Sequence, residues 1–257
     1  MSITRRTVVK TAVAGTAALG VTPGLISSIL AQETQANTIP MEGGEVTIHP
    51  VSHASLVLEA GDIVIYADPV GEASAYEALP PPNLILVTHE HQDHFQPETL
   101  AALVGEGTKL ITNPSVLEKL PEELRGVASQ MANGESTEAA GISIEAIPAY
   151  NTTEERLQYH PKGRDNGYIL TVGGARIYIA GDTEDIPEMR ALEDIDLAFV
   201  PMNLPYTMSV EQAADAVAAF KPKVVYPYHH QGSDVEKFKS LVEKAGDQIE
   251  VRLANWY

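Results

Sequence analysis

Along this chain the apolar residues come in short runs separated by turn signals, and few runs are long enough for a helix. The first three are residues 46–49, 55–58 and 63–66. Ala60-Gly61-Asp62 joins the last two as a hairpin would, predicting an antiparallel start. Residues 84–88, 142–147, 167–171 and 176–180 are rich in Ile, Leu, Val and Tyr and predict further strands, several covered on both faces. Helices are marked by their caps. Pro97 opens residues 98–104, Ser209 with Gln212 makes a capping box before residues 213–220, and Ser233 with Glu236 makes another before residues 238–244, with Gly246 as the stop. Strands first, then strands mixed with helices, predict one α/β domain of two sheets covered by helices. Residues 32–44, polar and carrying Pro40 and Gly43-Gly44, read as a linker, so the domain is expected to occupy residues 45–257.

Composition narrows the chemistry. A chain of 257 residues, 44% hydrophobic, can bury a full core as a single domain. Its formal net charge of −18 repels a phosphate backbone, which argues against nucleic acid as a partner and against a nuclease. Cysteine is absent, so disulfides, thiolate ligands and Cys nucleophiles are excluded, and any transition metal has to be held by His and carboxylates. Residues 1–31 read as an export signal: Arg5, Arg6 and Lys10, then an uncharged Ala/Val/Gly/Leu-rich stretch, then small residues. Thr4-Arg5-Arg6-Thr7-Val8-Val9-Lys10 resembles a twin-arginine motif, which would make the twin-arginine export machinery a partner and place the protein in the periplasm or outside the cell. The competing reading is an uncleaved membrane anchor over residues 11–31. Pro23 and several Gly, Thr and Ser weaken that span, and cleavage near Ala31 or Ala36, leaving no stable span, is preferred.

Three apolar strands run directly into metal-type residues. Residues 84–88 enter His89-Glu90-His91-Gln92-Asp93-His94, residues 177–180 enter Gly181-Asp182-Thr183, and Val224-Val225-Tyr226-Pro227 enters Tyr228-His229-His230. Ligand sites in α/β sheets form at the carboxyl ends of strands. Imidazole with carboxylate suits Zn, Mn, Fe or Ni, whereas an inert surface loop has no use for three imidazoles in six residues. A helical zincin motif would need His at the fifth position of that hexapeptide, where Asp93 stands. His230 follows His229 along a strand and is expected to point away from the site. Asp68 reads either as support for a ligand histidine or as a turn former before Pro69. His49 is expected to be structural.

His-x-His-x-Asp-His, the later Gly-Asp-Thr and the late His together resemble the metallo-β-lactamase superfamily over residues 45–250. Ser52-His53-Ala54-Ser55, Ala67-Asp68-Pro69 and Tyr228-His229 are most similar to the branch that contains the ascorbate-6-phosphate lactonase. The resemblance implies an αββα sandwich and two ions, zinc first among the candidates. It assigns His89 and His91 to the first ion, Asp93, His94 and His229 to the second, and Asp182 as a bridge. It puts His53 at the mouth of the cleft, against a plain buried histidine as the alternative. The family's usual third His on the first ion is replaced here by Asn151 in Ala149-Tyr150-Asn151. Asn151 itself, His160, or a different metal would then complete the first site, or His160 is a solvent-exposed loop residue.

Two ions about 3.5–4 Å apart generate hydroxide near neutral pH and polarise a scissile carbonyl or phosphoryl oxygen. The expected function is therefore hydrolysis of a small lactone, ester, amide or phosphodiester by a metal-bridged hydroxide, with Asp93 orienting the water and accepting its proton. No Gly-x-Ser-x-Gly and no phosphate loop offers another mechanism. The alternatives are a non-catalytic metal-binding protein of the cell envelope and a di-iron oxidoreductase. The latter is disfavoured because such members usually carry an appended flavin domain, for which this chain has no room.

Overall fold

The computed structural model of the protein describes residues 37–246 and 248–257, and the export signal predicted at residues 1–31 lies outside them. Two seven-stranded sheets follow one another along the chain, β1 to β7 in order and then β8 to β14, with β14 and β7 at the far edges of their sheets. In the first sheet β1 (Thr38–Met41), β2 (Gly44–Ser52), β3 (Ser55–Ala60) and β4 (Ile63–Ala67) pair antiparallel, and β5 (Leu84–Val87), β6 (Lys109–Thr112) and β7 (Ala128–Gln130) continue in parallel. The second sheet repeats the scheme. β8 (Ser136–Ala139), β9 (Ile142–Ala149), β10 (Asp165–Val172) and β11 (Ala175–Ile179) pair antiparallel, and β12 (Leu197–Pro201), β13 (Val224–Tyr228) and β14 (Glu250–Val251) pair in parallel.

Alternation of side chains sorts the apolar runs into layers. Leu84 and Leu86 of β5 face the second sheet in a shared core with Leu170, Ile177, Phe199 and Tyr226. Ile85 and Val87 face outward against Leu100 of helix α1 (Pro97–Leu103) and Val116 of α2 (Pro114–Lys119). On the other side Ala198 and Val200 of β12 meet Ala213, Val217 and Phe220 of α5 (Val210–Phe220). Between them in the chain come two short helices, α3 (Glu122–Arg125) and α4 (Pro187–Arg190). Both sheets are thus covered on both faces, which is why the central strands are continuously apolar and the architecture is an αββα sandwich in a single domain. Among the described residues no helix is long and apolar enough to cross a membrane.

Local signals hold where the chemistry is local. The Ser209 hydroxyl accepts from the Gln212 amide at 3.1 Å and the Gln212 side chain returns to the Ser209 amide at 3.0 Å, as the capping box requires. The cap of α6 (Val235–Ala245) is corrected by one residue. Asp234 accepts from the Lys237 amide at 2.9 Å, while the Ser233 hydroxyl donates to the Met202 carbonyl at 2.5 Å instead. The expected linker is corrected as well: Thr38–Met41 forms β1 and pairs with residues 44–47 across the Glu42-Gly43 turn, so the described fold begins before residue 45. A Cβ on Gly43 would come 2.2 Å from the Gly173 carbonyl oxygen, so this turn packs where only glycine fits.

Candidate metal centre

Most of the chemistry-bearing residues sit just past the carboxyl ends of strands, where the two sheets open toward the same edge, and His160 comes in from the loop between β9 and β10. Asp68 follows β4, residues 89–94 follow β5, Asp182 follows β11 and His229 follows β13. Gly181 makes the entry of Asp182 feasible. Its φ is +64°, and a Cβ there would stand 2.6 Å from the Asn166 carbonyl oxygen. His229 and His53 are themselves held in the left-handed region, at φ 44° and 53°, and the His229 amide donates to the His53 carbonyl at 3.0 Å. Strained backbone of this kind concentrates at functional sites.

Six of the eight histidines converge with Asp93 and Asp182 into three donor groups, two of them sharing His89: His89, His91 and His160; His89, His94 and Asp182; His53, Asp93 and His229. His91 Nδ1 lies 3.0 Å from His89 Nε2 and 3.2 Å from His160 Nε2. Asp182 reaches both sides: Oδ1 is 3.3 Å from His94 Nε2, and Oδ2 is 3.3 Å from His229 Nε2, 3.4 Å from His160 Nε2 and 3.9 Å from His89 Nε2. An ion bound tetrahedrally at about 2.0–2.1 Å spaces its donors about 3.3–3.4 Å apart, so these separations fit a cation of zinc size.

Tautomers are set from behind. Asp68, fully buried, accepts from the Thr88 amide at 2.7 Å, the Thr88 hydroxyl at 2.6 Å and His94 Nδ1 at 2.7 Å, which leaves the His94 Nε2 lone pair facing the cluster. The Thr88 hydroxyl proton is thereby used, so at 3.1 Å its oxygen accepts from His89 Nδ1 and His89 Nε2 is also free. His160 Nδ1 donates to the Tyr206 carbonyl at 3.2 Å, with the same result for its Nε2. His94 Nε2 and Asp182 Oδ1 are buried with no hydrogen-bond partner, a costly arrangement unless a cation sits between such groups. The His/Asp cluster is able to bind metal.

Electrostatics agree with that reading. Burial pushes the His160 imidazole down to about 4, against the pull of Asp182, and burial likewise holds His89 well below its ordinary value, so both are neutral at pH 7, the form in which an imidazole can take a metal. Burial opposes charge on His94 too, but Asp182 and Asp68 outweigh it and hold its pKa well above the ordinary histidine value, so its Nε2 carries a proton unless a cation takes that proton's place. Asp182 would be raised by burial, yet His229 and His94 keep it well below the carboxylate range. For Asp93, burial is overcome by hydrogen bonds from His229 and His53, and its carboxylate stays ionised.

His160 is placed by a stapled loop. The Asn151 amide donates to the His160 carbonyl at 2.8 Å, and Asn151 Nδ2 donates to the carbonyls of Arg156 and Tyr206 at 3.0 and 2.8 Å. Glu184, two residues past Asp182, accepts from the Thr152 and Thr153 amides at 2.7 Å each and pairs with Arg156 at 2.6 Å. The solvent-exposed reading of His160 is therefore corrected: it is 1% exposed and takes its place beside His89 and His91, while the Asn151 amide nitrogen closes the loop and its Oδ1 is buried without a hydrogen-bond partner. His53, given from sequence as either cleft mouth or plain buried histidine, lines the cleft, 3.3 Å from Asp93 and with its ring 3.8 Å from that of His229. Its place just after a strand end, like the other donors, was the available signal for joining it to the cluster. Glu184 carried no such signal. His230 stands outside the three groups with its ring against Tyr257, and His49 pairs with Glu59 at 2.6 Å on the sheet. The cleft above the cluster, about 380 Å³, is lined also by Tyr159, Asn203, Tyr206 and Gln231.

Residues 47–229 match the model of the family described as the β-lactamase superfamily domain. A UPF0173 metal-dependent hydrolase of Pyrococcus abyssi is 30% identical over 220 residues, covering 80% of this chain and 95% of its own, and one of Pyrococcus horikoshii is 31% identical over the same length and shares. A crystal structure from Parabacteroides distasonis, described as a metal-dependent hydrolase, superposes with a TM-score of 0.77 at 42% identity, over 84% of this chain and 96% of that one. A metallo hydrolase of Ignicoccus hospitalis shares the fold at a TM-score of 0.67 and 24% identity, over 82% of this chain and 95% of its own. With a histidine and aspartate cluster at the strand ends of an αββα sandwich, and with these relatives, the chain belongs to the metallo-β-lactamase superfamily as a metal-dependent hydrolase.

Proposed function

We propose that the protein is an exported two-ion hydrolase that cleaves a small lactone, ester, amide or phosphodiester. The observation that carries this reading is Asp182, whose two carboxylate oxygens face different histidines, Oδ1 toward His94 and Oδ2 toward His229 and His160. A carboxylate so shared suits a bridge between two cations, with His89, His91 and His160 holding one and His94, His229 and Asp93 holding the other. Zinc fits the all-nitrogen and oxygen donor set, as Mn, Fe or Ni would. Held there as a pair, such cations would supply activation of water near neutral pH and polarisation of the scissile bond.

The chain's own groups supply the rest. Asp93 is ionised, its side chain is 48% exposed to the cleft, and His53 and His229 hold it at 3.3 and 3.4 Å, so it can orient water and accept a proton. Export is supported by Arg5 and Arg6 ahead of the apolar stretch. Metal content and hydrolysis, measured together, test the proposal. Asp182→Ala is expected to lose both ions and nearly all activity, whereas His230→Ala, altered outside the three donor groups, keeps its metal. Equal metal loss in the two variants overturns the assignment, and full metal with no hydrolysis of any of the four bond types favours the non-catalytic metal-binding alternative.

A further inference from the structure

Two independent features of the cleft restrict what can enter it. Among the described residues none lining it is Lys or Arg. The three cations of the neighbouring loop are all engaged elsewhere. Arg156 pairs with Glu184 at 2.6 Å and donates to the Thr207 carbonyl at 2.8 Å. Arg164 forks onto Asp165 at 2.7 and 2.8 Å, and Lys162 reaches Tyr150 and Glu188 at 3.0 and 3.2 Å. A substrate with a phosphate or carboxylate remote from the reacting bond would find no partner there, and a buried or half-buried anion without a partner is costly. The chain's net charge of −18 adds a repulsive long-range field.

The second feature is apolar. Large exposed hydrophobic residues are few among the described residues: Val127, Leu157, Leu204, Tyr206 and Tyr257. Among these Tyr206 lines the cleft, while Leu157, Leu204 and Tyr257 are tied to lining residues by chain proximity or by a hydrogen bond. Tyr206 lines the cleft with its ring 5.0 Å from that of Tyr159, Leu157 and Leu204 are each two residues from this aromatic pair, and the Tyr257 hydroxyl lies 2.8 Å from His53 Nδ1. Exposed apolar residues concentrated around one cleft mark a binding surface, whereas scattered ones carry no meaning. Tyrosine pairs suit ring or chain contacts because they add area with little loss of side-chain freedom.

Resting on the hydrolase reading, we infer that the substrate is an uncharged ester, lactone or amide whose apolar acyl or aryl portion lies against Tyr159 and Tyr206. Water adds across the acyl bond to give the carboxylic acid and the alcohol or amine, so no further reactant is needed. Within the four bond types of the proposed function, this disfavours phosphodiesters and any lactone carrying a phosphate.

The test uses the metal-replete protein and a matched pair of esters, 4-nitrophenyl butyrate and 4-nitrophenyl hemisuccinate, which differ in a methyl against a carboxylate. The butyrate is expected to show kcat/KM higher by about tenfold or more, within what one pocket contact delivers. Tyr206→Ala is expected to raise KM for the butyrate with metal content at the wild-type value. Calorimetric titration with butyrophenone, which cannot be hydrolysed, reads binding without activity: it binds the wild type and binds Tyr206→Ala at least several-fold more weakly. Equal or better turnover of the hemisuccinate overturns the inference, as does butyrophenone binding that is absent or indifferent to Tyr206. If butyrophenone binds through Tyr206 while none of the four bond types is cleaved, the apolar reading of the cleft stands and the hydrolase proposal falls; cleavage of phosphodiesters alone keeps the hydrolase proposal and overturns the inference.

Discussion

At the scale of single residues, the site is organised by groups that never face the cleft. Asp68 spends both carboxylate oxygens on Thr88 and His94, and so fixes which nitrogen of His94 is presented. Its φ of 46° is one that Asn tolerates, so Asp68→Asn isolates the loss of the acceptor from any backbone effect. We expect metal affinity to fall by about 10–100-fold, the range for lost support of a ligand histidine, measured by competition with a chelator. Unchanged affinity shows that Asp68 is only a turn former. His160 allows a sharper experiment, because its Nδ1 is held by the Tyr206 carbonyl and its Nε2 joins His89 and His91. His160→Ala should bring the metal-to-protein ratio from about two toward about one, as expected for one ion of a pair. A variant that retains both ions would return the first site to Asn151 or solvent.

At the scale of elements, what was legible were the features whose cause is local. The capping box of α5, Pro97 at the head of α1 and the hairpin at Gly61 all depend on neighbours in the chain, and all are present. Ser209→Ala should cost about 1 kcal/mol of stability, the usual value of such a cap, seen as a lower unfolding midpoint with metal content intact. A loss of metal in that variant would mean the helix start bears on the site, which its position does not suggest. The elements missed are mostly short or weakly patterned: β1, β6, β7, β8 and β14 have two to four residues each, and helices α2, α3 and α4 four to six. Leu197–Pro201 was missed although strongly apolar, being fully buried between β11 and β13. Strands of this kind exist because neighbours supply their hydrogen bonds, a condition no periodicity records.

At the scale of the molecule, the donors come from both sheets: residues 89–94 from the first, Asp182 and His229 from the second, with His53 and His160 from connecting loops. Bound metal therefore stabilises the joint between the sheets, by about 4 kcal/mol when it exceeds its dissociation constant a thousandfold. Chelation should lower the thermal midpoint and readdition of zinc should restore it; a midpoint unmoved after verified metal removal would detach the cluster from the stability of the fold. The proposed twin-arginine export is also a whole-chain property. Arg5→Lys combined with Arg6→Lys should leave precursor in the cytoplasm, since a receptor reads the arginine pair, and normal export of that variant would indicate the general secretory route.

The sequence by itself determined the layers and the main donors. Apolar runs covered on both faces demand a sandwich, and His89, His91, Asp93, His94, Asp182 and His229 stand at strand ends, where chain order alone carries them to one edge. Only the tertiary structure decided what depends on contacts between distant segments. It brought His160 in beside residues 89–91 through the staples of Asn151 and Glu184, and set His53 against Asp93 across 40 positions of sequence. It also turned the loop's arginines away from the cleft, leaving Tyr159 and Tyr206 to face it. A side chain's partner is fixed by packing, hydrogen-bond completion and burial cost summed over the whole fold, and these quantities exist only once the chain has closed on itself.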